Sequence, residues 1–141
     1  MRCHALRRLL RSGLVTLALL VPATALLMPG HVHAASLLEF DVWMQKIEKR
    51  TLSMFRNLKR SEGAAAAADA REVQALYKLM EDYFVARGDA HDAVKMSKDG
   101  VKLAETVALS ATASRFDAAK TAATTLARAC RDCHTDYKPL E

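Results

Sequence analysis

The sequence predicts an all-α protein, an antiparallel four-helix bundle, and three observations carry that prediction. No stretch alternates apolar and polar residues with period two, and the β-branched residues are scattered. Alanine, the strongest helix former, recurs throughout. Apolar residues step by three or four between short segments that read as helix caps and stops.

The first 34 residues stand apart from this pattern. Arg2, Arg7, Arg8 and Arg11 precede an apolar run over 14–21, and the segment ends on Val32-His33-Ala34. A basic start, a short apolar stretch and a small-residue end describe a secretory signal peptide, with cleavage expected after Ala34. Pro22 and Pro29 interrupt the run, which is short for a bilayer span. Residues 1–34 are thus expected to be a leader and 35–141 a single domain. Four of the 21 Lys and Arg residues fall in the leader and none of the 16 Asp and Glu, leaving 17 basic residues and a net charge of about +1. The basic character of the whole chain is therefore a targeting feature, and nucleic-acid binding is not expected. Only Cys130 and Cys133 remain after the leader, in an exported, oxidising setting.

Helices are expected near 37–60, 70–87, 90–112 and 115–138. Ser36-Leu-Leu-Glu39 and Ser114-Arg-Phe-Asp117 fit the capping box, and Asp69 and Asp89 give looser start signals. Gly63 and Gly88 stand where helices would stop. The alanine run after Gly63 reads equally as linker or as an early start of the second helix, and Gly100 is a weak point in the third. Leu37, Phe40, Met44, Ile47, Thr51, Met54 and Leu58 form the apolar stripe of the first helix. Phe116, Ala119, Ala123, Leu126, Cys130, Cys133 and Tyr137 form that of the fourth. Val73, Leu76, Met80 and Tyr83 mark the second helix, while the third is marked more weakly. The small residues of the fourth helix serve either close packing or an inserted planar ligand.

Cys130-Arg-Asp-Cys133-His134 concentrates two thiols and an imidazole on the last turns of the fourth helix. A structural zinc site needs four ligands, and the domain adds only the distant His91. A thioredoxin-like CxxC opens a helix after a strand, whereas this one closes an all-helical chain. Cys-x-x-Cys-His matches c-type haem attachment, in which both sulfurs become thioethers and the histidine binds iron. A disulfide or an adventitious metal is the remaining use of these groups.

The bundle pattern together with CRDCHTDYK near the C-terminus resembles the class II cytochromes c, the group of cytochrome c prime and its low-spin relatives. That resemblance implies an antiparallel four-helix bundle with one covalent haem c, thioethers at Cys130 and Cys133, and His134 as proximal iron ligand. It places Lys138 near the solvent-facing proximal side and gives the distal face to the first helix. Met44 lies about 10 Å along that helix from Leu37 and Met54 about 25 Å, at 1.5 Å per residue. With the two helices antiparallel, Met44 is the expected distal ligand and Met54 the second choice. Trp43, the only tryptophan, packs either on the porphyrin edge or as a half-buried helix aromatic. Met80 and Met96 lie on helices that the resemblance does not place over the iron, and His91 is expected to be exposed.

The function expected is single-electron carriage in the periplasm of a Gram-negative bacterium, between redox proteins or membrane electron-transfer complexes. No acid–base pair or nucleophile points to an enzyme. A five-coordinate protein that binds NO or CO is the alternative. An apolar outer face including Leu79 and Phe84 permits a homodimer as well as a monomer.

Overall fold

The computed structural model describes residues 35–137, so the expected leader over 1–34 and Lys138 lie outside the described residues. Within them the chain forms α1 (Leu37–Lys59), α2 (Gly63–Arg87), α3 (His91–Thr112) and α4 (Phe116–Tyr137), with no strand. No helix among the described residues is long and apolar enough to cross a membrane.

The capping box at Ser36 forms as its pattern demands. Glu39 N–H donates to Ser36 Oγ at 3.2 Å and Ser36 N–H donates to the Glu39 carboxylate at 2.8 Å, satisfying amides that the first turn leaves unpaired. Gly88 closes α2 at φ 74°, a left-handed conformation that favours glycine. The other start signals behave differently. Asp89 pairs with Arg87 at 3.1 Å while Ala90 takes the cap position of α3 without a side-chain bond. Ser114 adopts φ 55° in the α3–α4 turn, and the Arg115 carbonyl accepts the first bond of α4.

The second helix starts at Gly63, seven residues before the expected position. Its alanines have the highest helix propensity and no side chain to oppose it. The chain reverses over three residues, with Ser61 at φ 59°, so Gly63 opens α2 and does not close α1. A Cβ at Gly63 would stand 2.5 Å from the Ala111 carbonyl oxygen, so the residue is small because α2 begins against the end of α3.

Cross-helix partners set the directions. Phe40 meets Tyr83 at 4.5 Å between ring centroids, while Asn57 reaches Asp69 at 2.8 Å, so α1 and α2 are antiparallel. Lys98 lies 3.7 Å from Glu81 and Arg71 bonds Thr112, which makes α2 and α3 antiparallel. Tyr137 of α4 bonds Asp92 of α3 in the same sense. Each turn is short enough to force this reversal.

The core is filled by Met54, Leu58, Val73, Val107 and Leu126, all fully buried. Around them Ala66, Ala67 and Ala70 of α2, Ala104, Ala108 and Ala111 of α3, and Ala119, Ala122 and Ala123 of α4 let the backbones approach closely. One charged group is buried here. Asp69, far from being a cap, accepts from Asn57 at 2.8 Å and from Arg50 at 3.3 Å. Phe84 is likewise corrected: it is 2% exposed, so the outer face of α2 keeps Leu79 and Val85 but not Phe84.

Candidate functional site

Of the four neighbouring helix pairs, α1 and α4 touch least. A cavity of about 800 Å³ opens along that seam, and α2 and α3 also contribute to its wall. The small residues of α4 divide between close packing and the cavity wall. Ala119, Ala122 and Ala123 are packed away, while Ala127 and Ala129, farther along, line the opening.

The last turns of α4 bring Cys130, Cys133 and His134 to this cavity. Residues three and four apart on a helix share a face, so the spacing of the motif alone aims both thiols one way. On the α1 wall stand Phe40, Met44, Ile47 and Thr51, again at steps of three and four. The structure thus gathers Cys130, Cys133, His134 and Met44 around one space. Met54 is excluded from it, fully buried in the core two to three turns beyond Met44. Trp43 does not line the cavity. It is half-buried, with its ring 6.4 Å from Phe40, which does line it. His91 is exposed on the first turn of α3, away from the cavity wall.

Several lining residues were set aside or missed in the sequence. Met80 and Met96 add two more sulfurs, and Ser97, Phe84 and Tyr77 complete the α2–α3 side. Phe84 joins Phe40 at 5.4 Å and Tyr137 at 5.6 Å, an aromatic cluster that links α1, α2 and α4 at the end of the cavity near the motif. The Tyr77 hydroxyl oxygen is 3.1 Å from Cys130 Sγ. Gly100 was the available signal for Tyr77: a Cβ there would lie 2.3 Å from the tyrosine ring, so α3 runs unbroken through a glycine that makes room for an aromatic.

The thiols are free and half-buried. Burial pushes the Cys133 thiol up to about 11, with help from neighbouring Cys130 and from the Asp136 and Asp92 carboxylates. It is therefore protonated at neutral pH, the reverse of the lowered thiolate that a redox CxxC draws from a helix N-terminus. Burial also raises the Tyr77 phenol, followed by the effect of Cys130. Thr51 Oγ1 is buried on the α1 wall without a hydrogen-bond partner among the described residues. Asp41 and Glu48 sit on exposed positions of the same wall, and no Lys or Arg among the described residues lines the cavity. Among the described residues, no group of three or more His, Cys, Asp and Glu side chains is arranged to hold a metal ion by itself. The arrangement can hold a large, mainly apolar guest with sulfur and imidazole at its edge. Comparison of the chain with protein families, with curated proteins and with solved structures finds no match.

Proposed function

We propose that the chain is an exported mono-haem c-type cytochrome of the class II kind that carries single electrons between periplasmic redox proteins. One observation supports this reading above the others: Cys130, Cys133, His134 and Met44 line the same cavity of about 800 Å³. That volume lies within the roughly 300–1,000 Å³ usual for ligand and cofactor sites. The residues present fit a haem by their chemistry, with two free thiols, an imidazole and a lining rich in aromatic and thioether groups.

In this reading Cys130 and Cys133 would hold the haem through thioethers and His134 would bind its iron. Haem bound there supplies a reversible one-electron iron couple. Met44 would offer its thioether to the iron from the α1 wall, where a neutral soft sulfur would favour the reduced state and raise the potential. Phe40, Ile47, Met80 and Phe84 keep water from the interior and hold the charge change in a medium of low polarity. An electron carrier needs no proton acceptor or nucleophile at its centre. The periplasmic location depends on the leader read from 1–34, and Lys138 is carried over as a proximal neighbour from the resemblance alone.

The rival reading is a five-coordinate protein that binds NO or CO. Phe40 and Ile47 favour it, since they flank Met44 on the α1 wall and an apolar cover there leaves the sixth position to a small gas. Visible spectra of ferric and ferrous protein, with and without CO, separate the two. Electron carriage predicts a six-coordinate reduced spectrum, slow CO binding, and conversion to high spin in Met44→Ala. Rapid CO binding by the wild type supports the gas-binding reading. Denatured protein that keeps no covalent haem would overturn both.

A further inference from the structure

The two thiols of the motif are not equivalent. Cys130 Sγ has the Tyr77 hydroxyl at 3.1 Å, whereas no side chain among the described residues hydrogen-bonds Cys133. Tyr77 itself is 5% exposed, so its hydroxyl has to find its partner inside the protein. The ring has little freedom to move, because the missing Cβ of Gly100 is the space it fills: ring carbons lie 2.3, 2.4 and 2.8 Å from where that atom would be. A cysteine side chain has three staggered positions, and a fixed hydroxyl at hydrogen-bond distance selects one of them.

We propose that Tyr77, seated on Gly100, is the positioning residue of the attachment site: it fixes the Cys130 sulfur on the α2 side of the cavity and so sets how the macrocycle is turned within the bundle. The proposal depends on the haem reading above. Attachment at Cys130 is an addition. The sulfur bonds one vinyl carbon, the thiol hydrogen goes to the other, and the double bond becomes single, so no oxidant or reductant is consumed. Before that step either group can donate across the 3.1 Å contact. Afterwards the sulfur has no hydrogen, and only Tyr77 donates. The contact therefore outlasts the reaction with its direction settled. Cys133, without such a partner, adapts to whatever position the anchored edge imposes.

The test uses the full chain after export and the nearly isosteric Tyr77→Phe, which keeps the ring on Gly100 and deletes only the hydroxyl. In the haem-free folded protein, alkylation by iodoacetamide is measured at each cysteine after trypsin cleavage at Arg131 separates them. Loss of the hydroxyl shifts the Cys130-to-Cys133 ratio roughly fivefold toward Cys130, the population change that one ordinary hydrogen bond sustains. Ferrous haem is then added and thioethers are counted by mass. The wild type forms both, while the variant accumulates the product bonded at Cys133 alone, again roughly fivefold more than wild type. Gly100→Ala, which displaces the ring and keeps the hydroxyl, shifts both readouts the same way. If wild type forms two thioethers and Tyr77→Phe leaves both ratios unchanged, the role of Tyr77 is refuted while the haem reading stands. If wild type forms none, the haem reading falls and takes this proposal with it.

Discussion

The Tyr137 hydroxyl donates a hydrogen bond to the Asp92 carboxylate, tying the last turn of α4 to the first turn of α3. Asp92 also accepts from the Ala93 N–H at 3.1 Å, so one carboxylate serves both a helix start and a helix end. The ring of Tyr137 rests 5.6 Å from Phe84. The motif-bearing turn is thereby held from two sides.

This pair gives a pH dependence with a defined sign. Bonding to Tyr137 holds the Asp92 carboxyl below the usual carboxylate range, and bonding to Asp92 pushes Tyr137 up to about 12. A depressed acid stabilises the fold above its unfolded value of about 3.9, and the effect is lost as pH falls through the folded value. A raised phenol stabilises it below about 10, and the effect is lost on the way up to 12. Urea unfolding of haem-free wild type and Asp92→Asn should therefore differ by a constant amount between about pH 4 and pH 10, with the gap closing on either side. A difference independent of pH from 3 to 11 would show that the bond does not link protonation to folding.

Gly63→Ala should destabilise the protein although alanine is the better helix former. The new Cβ would stand 2.5 Å from the Ala111 carbonyl oxygen, a backbone atom with no rotamer to escape into. Overpacking of this kind costs about 1–3 kcal/mol, against a propensity gain of about 1 kcal/mol. A net loss of up to roughly 2 kcal/mol in denaturant unfolding is expected. A gain in stability would mean that the turn relaxes freely.

Met54→Ala and Met44→Ala should separate stability from spectrum. Met54 is fully buried in the core, so its truncation costs about 2–5 kcal/mol in the haem-free chain. Half-buried Met44 should cost less. In the haem-loaded protein the proposed function reverses the order: visible spectroscopy should register Met44→Ala and pass over Met54→Ala. The opposite result would move the distal ligand deeper into the bundle.

Asp69→Ala should cost about 2–3 kcal/mol, since it breaks the buried bond from Asn57 and the part-buried one from Arg50 and leaves Asn57 without its acceptor. Lys95→Ala, which opens an exposed i,i+4 pair with Asp99, should leave the unfolding midpoint nearly unchanged. Equal effects would show that burial does not distinguish the two pairs.

These residues also mark where sequence reading succeeds. The bounds of α1, α3 and α4 were legible to within a residue, as was the end of α2, because stripes, caps such as Ser36 and stops such as Gly88 act locally. The start of α2 was not, since a run of identical small residues has no periodicity to tell a linker from a helix. Asp69 looked like a cap because its partners Arg50 and Asn57 lie on another helix. At the site, Cys130, Cys133 and His134 follow from spacing on one helix, and Met44 from counting along an antiparallel neighbour. Tyr77 and Met96 depend on how α2 and α3 are rotated about their own axes, which no single stripe specifies. Leu37 opens the α1 stripe yet is 68% exposed, because it lies on the rim of the cavity at the end of the bundle.

The open seam between α1 and α4 also grades the molecule's resistance to opening. The α2–α3 pair is the most extensively joined, so its amides should exchange hydrogen last, while those flanking the seam exchange through small local excursions. A guest wedged there would bridge two helices that the chain itself leaves nearly unjoined. Loading would then act as the final weld of the bundle, and the exchange rates of α1 and α4 would gauge how fully it is made.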